Sequence, residues 1–273
     1  MTALPVNALA DACDCHVHVY EPHWPLAATA VATPPVAPWQ AYRDVQTSLG
    51  LSRVVVVQPT AYGLDNRCTL HAMATLGPGA RGVAVIDAQT PEATLRELHA
   101  AGIRGVRFMM LSGGALPWEA LEPIAARIAP LGWHIDLQVD GALFPELAPR
   151  LSRLDVPVVV DHNGKFLTPP DVDAPQVRAL RGLLDAGRCW IKLSAPYETS
   201  RTGPPGYDDV SALARRFASA HTERCLWASN WPHPGRAPAP ADADLLALLS
   251  DWAPDARALA RILVHNPQAL YGF

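Results

Sequence analysis

The chain has 273 residues, of which 49% are hydrophobic and 18% charged, with 22 Lys+Arg against 26 Asp+Glu and a formal net charge of −4. That composition gives ample core and excludes a disordered chain, and the missing basic surplus argues against a nucleic-acid binder. Five cysteines without a C-x-x-C pair exclude a disulfide framework and suit a reducing compartment. No run approaches the ~18 apolar residues of a membrane span. Met1–Ala10 lacks the basic start and apolar stretch of a secretory leader, so a cytoplasmic protein is expected.

Short apolar runs alternate with amphipathic segments along the whole chain. The pattern predicts strands over Ala12–Tyr20, Arg53–Gln58, Gly82–Asp87, Ile103–Met110, Trp133–Val139, Val156–His162, Cys189–Ser194 and Cys225–Asn230. Helices are predicted between them over Trp39–Leu49, Asn66–Leu76, Pro91–Ala101, Trp118–Leu131, Phe144–Leu154, Pro175–Ala186 and Asp208–Ala220, with Ala241–Trp252 and Asp255–Val264 closing the chain. Eight β-α alternations predict an α/β fold, a (β/α)8 TIM barrel, as one domain over residues 1–273 with 1–10 as an N-terminal extension. A doubly wound open sheet is the alternative, weakened because no G-x-G-x-x-G follows the first strand. Two irregular segments, 21–38 after the first strand and 198–207 after the seventh, are expected on the carboxyl-end face where βα loops build active sites.

Three motifs carry chemistry. In Asp14-Cys15-His16-Val17-His18, strict alternation puts Asp14, His16 and His18 on one face and Cys13, Cys15 and Val17 on the other. With the apolar set toward the helices, both histidines would enter the barrel near its carboxyl end. Val160-Asp161-His162-Asn163-Gly164-Lys165 ends an apolar strand in a histidine, a turn and a lysine; a capped strand with a polar turn is the plain alternative. Trp227-Ala228-Ser229-Asn230-Trp231-Pro232-His233 ends another apolar strand in an amide, which simple strand termination would also explain.

These motifs in this order, with Gln58, Asp65-Asn66, Tyr197-Glu198 and the closing Asn266-Pro267-Gln268-Ala269-Leu270-Tyr271, resemble the amidohydrolase superfamily and, within it, a metal-independent lactonase-like branch. The resemblance implies the barrel fold and lactone chemistry. Metal-dependent members hold zinc-like ions with H-x-H on strand one, histidines on strands five and six, and an aspartate on strand eight. This chain keeps His16, His18 and His162, but Gln138 ends the fifth strand, His134 sits at its other end, and Asn230 ends the eighth. Neutral amides are poor zinc ligands, so neither a metal nor a cofactor is expected.

In the hydrolytic relatives the strand-eight aspartate is the general base for water. An amide lacks that basicity, so Asn230 is expected to orient a group by hydrogen bonding. A hydroxyl of the substrate held against the acyl carbon can reach an effective molarity on the order of 10⁵ M or more. The expected reaction is therefore isomerisation of a sugar-diacid 1,5-lactone, of the D-galactaro-1,5-lactone type, to the 1,4-lactone. His16, His18 and His162 would surround the lactone carbonyl and move protons. Arg107 and Lys165, with Arg201 as a further candidate, would bind the carboxylate, and Gln58, Gln138 and Tyr197 the hydroxyls. The alternative is a lactonase acting on a carboxylated lactone of the 2-pyrone-4,6-dicarboxylate or sugar-acid type, with Asn230 an engineered replacement for a catalytic aspartate; the presence of His16, as in the hydrolases, keeps it open. A metal-dependent amidohydrolase and a non-catalytic barrel binding acidic small molecules are the further readings. The expected partner is a small carboxylated lactone, with no nucleic acid and no membrane; oligomeric state is not legible.

Overall fold

A computed structural model describes residues 9–273. Eight strands, β1 (Cys13–Val17), β2 (Arg53–Val57), β3 (Ala80–Ala84), β4 (Ile103–Met109), β5 (His134–Gln138), β6 (Val158–Val160), β7 (Cys189–Ser194) and β8 (Cys225–Ala228), pair in sequence order, each parallel to the next. A parallel bridge between Val17 and Trp231 and the His18 N–H donating to Trp231 O at 2.8 Å bring the last strand back to the first. The result is a nearly closed (β/α)8 barrel, as the alternation predicts.

Helices α1 (Trp39–Ser48), α2 (Arg67–Leu76), α3 (Glu92–Ala100), α4 (Leu121–Ile128), α5 (Phe144–Leu151), α6 (Pro175–Asp185), α7 (Asp208–Ala220) and α8 (Asp242–Trp252) follow the strands in turn, and α9 (Ala256–Ala260) and α10 (Asn266–Tyr271) flank a π-helical segment, Arg261–His265. Each helix lays an apolar stripe on the outward strand faces; in α6 it is Val177, Leu180, Leu183 and Leu184. No helix among the described residues is long and apolar enough to cross a membrane. All five cysteines are free and buried.

The interior is stacked in layers. An apolar floor includes Cys13, Cys15, Val55, Val159, Leu226 and Tyr271. Above it lies a wholly buried ionic layer of His16, Asp136, Asp161 and Lys192. A cavity opens above that, at the carboxyl ends of the strands.

One expectation is overturned. Asp14 does not share a face with His16 and His18. The register of β1 on β2 runs from Asp14 opposite Val54 to Val17 opposite Val56, one residue too many on β1. This β-bulge at Cys15–His16 breaks strict alternation. Cys13 and Cys15 therefore join the inner floor, and His16 and His18 still point inward. Asp14 turns to the helix side, where its carboxylate accepts from Tyr42 Oη (3.2 Å) of α1, Ser229 Oγ (2.6 Å) and Ser229 N (3.0 Å). It thereby ties the end of β8 to β1.

Candidate active site

The cavity at the carboxyl-end face has a volume of about 360 Å³, within the ~300–1,000 Å³ range of small-molecule sites. His18, Arg107, Gln138, His162, Lys165, Glu198, Asn230 and Arg236 supply its polar lining. Val31 reaches it from the 21–38 segment and Glu198 from the 198–207 segment, so both irregular loops touch it.

Local backbone geometry aims several of these groups. After β6 the chain runs through four consecutive left-handed residues, His162 (φ 52°), Asn163 (φ 56°), Gly164 (φ 87°) and Lys165 (φ 47°). Such backbone is costly outside glycine, and here it turns both His162 and Lys165 into the cavity. Asn163 holds the turn by donating Nδ2 to Ser194 O at 2.7 Å. Asn230, at φ 62°, makes a second left-handed corner and donates its N–H to His16 O at 3.0 Å.

The hydrogen-bond partners fix what each group offers a ligand. His162 Nδ1 lies 2.9 Å from Ser194 Oγ, whose own proton is directed to Lys192 O at 3.5 Å; with Nδ1–H donating to Ser194, Nε2, which no protein partner among the described residues reaches, offers its lone pair to the cavity. His18 Nδ1–H donates to Val57 O at 2.8 Å, and its Nε2 lies 3.1 Å from His16 Nε2, so His16 donates and His18 accepts. Burial holds His18 down to about 3, with Arg107 adding to the effect. Burial likewise pushes His16 and His162 well below the ordinary imidazole value, so all three rings are neutral near pH 7. His16 itself lies beneath the cavity floor, fully buried.

Asn230 donates both Nδ2 protons, to Tyr197 Oη (2.9 Å) and Glu198 Oε1 (3.0 Å). Its Oδ1 is left to accept from a ligand. Tyr197 Oη in turn lies 2.9 Å from His233 Nδ1, and His233 Nε2 lies 3.0 Å from Asp242 Oδ1. This chain, Asp242–His233–Tyr197, locks the orientation of the amide. Arg107 donates Nη1 to Gln58 O (3.0 Å) and Nη2 to Gln138 Oε1 (2.9 Å), which leaves the Gln138 Nε2 protons for a ligand. Lys165 forms an ion pair with Glu198, and burial lowers its ammonium to about 8.

Besides His16, three residues expected at the site are placed elsewhere. Gln58 spends its amide on Gly63 O (3.0 Å), Asp65 O (2.9 Å) and Thr69 Oγ1 (2.6 Å) and shapes the loop after β2. Arg201 is exposed and donates to Thr168 Oγ1. Tyr197 faces Asn230 rather than the main cavity. Sequence reasoning gave no role to Lys192, Asp136, Glu198 or Arg236. A signal existed for the first: the chain has only two lysines, Lys165 and Lys192, and Lys192 interrupts an otherwise apolar strand.

The donors do not fit a resident metal ion. His16, Asp161 and His162 each place a donor atom within 4.8 Å of the others. The Lys192 ammonium, however, lies among them, 3.0 Å from His16 Nδ1 and 3.0 Å from Asp161 Oδ1, and two further corners carry the amides of Gln138 and Asn230. A cation is already supplied where a metal would have to bind.

A parallel eight-stranded barrel with histidines from β1 and β6 converging on a cavity at the carboxyl ends defines an amidohydrolase-type architecture. The amidohydrolase family profile matches residues 13–273, and the chain belongs to that family. Among its relatives, D-galactarolactone isomerase of Agrobacterium fabrum (strain C58) is 38% identical over 266 residues, covering 95% of this chain and 90% of that protein. The 2-pyrone-4,6-dicarboxylate hydrolase of Comamonas testosteroni is 36% identical over 275 residues, covering 96% of this chain and 90% of that protein. An apo crystal structure from Agrobacterium tumefaciens superposes with a TM-score of 0.92 at 37% identity, covering 96% of both chains.

Proposed function

We propose that this chain is a metal-independent lactone-processing enzyme that isomerises a sugar-diacid 1,5-lactone, of the D-galactaro-1,5-lactone type, to the 1,4-lactone. The names of the two relatives put lactones forward as the substrate class. The observation that carries the choice of reaction is Asn230, an amide whose only uncommitted atom is an acceptor oxygen. It can hold a substrate hydroxyl by its proton but cannot deprotonate water.

Arg107 and Lys165 hold the free carboxylate, and Gln138 Nε2 donates to a substrate oxygen. Asn230 Oδ1 orients the C4 hydroxyl against C1. His162 Nε2, neutral and unpartnered, takes the proton from O4 as O4 bonds to C1. The C1–O5 bond then breaks, and His162 returns the proton to O5. No water enters and none leaves, so the held hydroxyl outcompetes solvent through its effective molarity. His18, committed to His16 and Val57 O, forms the floor beneath the ring, with His16 supporting it from below. A cytoplasmic setting in carbohydrate-acid catabolism suits this chemistry and the five unpaired cysteines.

The test is NMR of the first product formed from D-galactaro-1,5-lactone. The 1,4-lactone should appear before any open-chain acid; open-chain diacid as the sole early product would reject the isomerase and leave the lactonase.

A further inference from the structure

In the ionic layer below the cavity, three donor atoms, from β1, from β5 and from the residue just after β6, converge on one point. Asp136 Oδ2 of β5 lies 2.6 Å from it, Asp161 Oδ1 after β6 lies 3.0 Å away, and His16 Nδ1 of β1 also lies 3.0 Å away. The point is the Nζ atom of Lys192, carried by β7 and wholly buried. Of these donors, His16 and Asp161, together with the neighbouring His162, hold donor atoms within 4.8 Å of one another, a set that suits a small divalent cation. A primary ammonium has three N–H donors and no acceptor, and here each of the three has its own partner.

We propose that Lys192 is a resident cation in a latent divalent-metal site, where its ammonium takes the position and the charge of an ion and fixes which nitrogen of His16 carries the proton. Asp161 Oδ1 also approaches His16 Nδ1, at 3.3 Å, but the Lys192 N–H is nearer, at 3.0 Å, and His18 Nε2 is an acceptor because its ring proton is held by Val57 O, so the His16 proton sits on Nε2 and points to His18 Nε2. His18 then keeps its own proton on Nδ1, against Val57 O. Lys192 does not line the cavity and acts through His16 and His18, so it is a positioning residue. Its link to turnover rests on the lactone reading above. The assignment of the cation does not, because it is read without substrate.

The experiment is a Co2+ titration of the purified protein and of Lys192→Ala, followed by the visible absorption of bound cobalt and the metal content after desalting. Wild type should take up no cobalt that depends on His16. Lys192→Ala should bind one Co2+ per chain with a visible band, and adding Asp161→Asn should abolish it. Cobalt in wild type that His16→Ala removes, or a folded Lys192→Ala that binds none, would overturn the proposal. Should Lys192→Ala fail to fold, the imidazole 15N spectrum of wild type decides: His16 protonated on Nε2 and His18 on Nδ1 supports the proposal, and His16 protonated on Nδ1 overturns it. Failure of the product test above would leave both readouts untouched, so the two claims fall separately.

Discussion

Asn230 gives both of its amide protons to Tyr197 and Glu198, so an aspartate there would set a second carboxylate against Glu198 with no proton between them. Like charges at that distance raise the pKa of one partner, which is how a stronger base arises. Asn230→Asp should therefore gain ring hydrolysis at the expense of isomerisation. The ratio of open-chain acid to 1,4-lactone should rise at least ~10-fold, well inside the ~10²–10⁴-fold that a positioned general base can contribute. Product ratios by NMR check this, and an unchanged ratio would mean that position 230 does not choose between water and the internal hydroxyl. Glu198 matters at the same scale. Its pairing with Lys165 offsets part of the positive charge that Lys165 brings to the cavity.

The turn after β6 is the element on which His162 and Lys165 depend. Gly164 sits at φ +87°, and a Cβ there would meet Phe166 Cε2 at 2.6 Å and Leu180 Cδ2 at 3.0 Å. Gly164→Ala should cost ~1–3 kcal/mol of stability through the left-handed backbone and the overpacked contact. It should also lower kcat/KM by displacing His162; denaturant unfolding and steady-state kinetics check the two effects, and full activity at native stability would contradict them. The strands themselves were legible because eight β-branched or apolar runs separated by amphipathic helices leave little choice of architecture. The His16–His18 pair and His162 were legible because two histidines two residues apart, and a histidine ending an apolar strand, are conspicuous. The bulge in β1 was not, since an extra residue between Asp14 and Val17 shows only against the partner strand. Nor was the role of Lys192, because its partners come from β1, β5 and the end of β6, far apart in the chain. Arg107 and Gln138, carried by strand ends, line the cavity, whereas Gln58 and Arg201 satisfy their own loops.

Across the whole molecule, a barrel that keeps four imidazoles neutral in its interior stores a pH dependence. Burial lowers His18 and His134 to about 3 and pushes His16 and His162 well below the ordinary value. The unfolded chain takes up those protons at about 6.5, so this stability is fully present above that pH and is lost as the pH falls toward the folded values. Asp14 and Asp136, raised by burial to about 6 and about 7, act in the opposite sense, but four imidazoles outnumber two carboxylates. Unfolding free energy should fall by at least ~1 kcal/mol per pH unit between pH 6.5 and 5, each unmatched proton being worth ~1.4 kcal/mol per unit. Denaturation curves at pH 7 and pH 5 measure it, and equal or greater stability at pH 5 would contradict the neutral-imidazole account.

In the reaction proposed for this chain, the acyl group passes from one oxygen of the substrate to another without solvent. Running the conversion of D-galactaro-1,5-lactone in H2(18)O and weighing the 1,4-lactone by mass spectrometry tests it most directly. Internal transfer keeps every oxygen of the substrate, so the early 1,4-lactone should carry no 18O. Label in that product at early times would mean that water opens the ring first and that Asn230 does not exclude it.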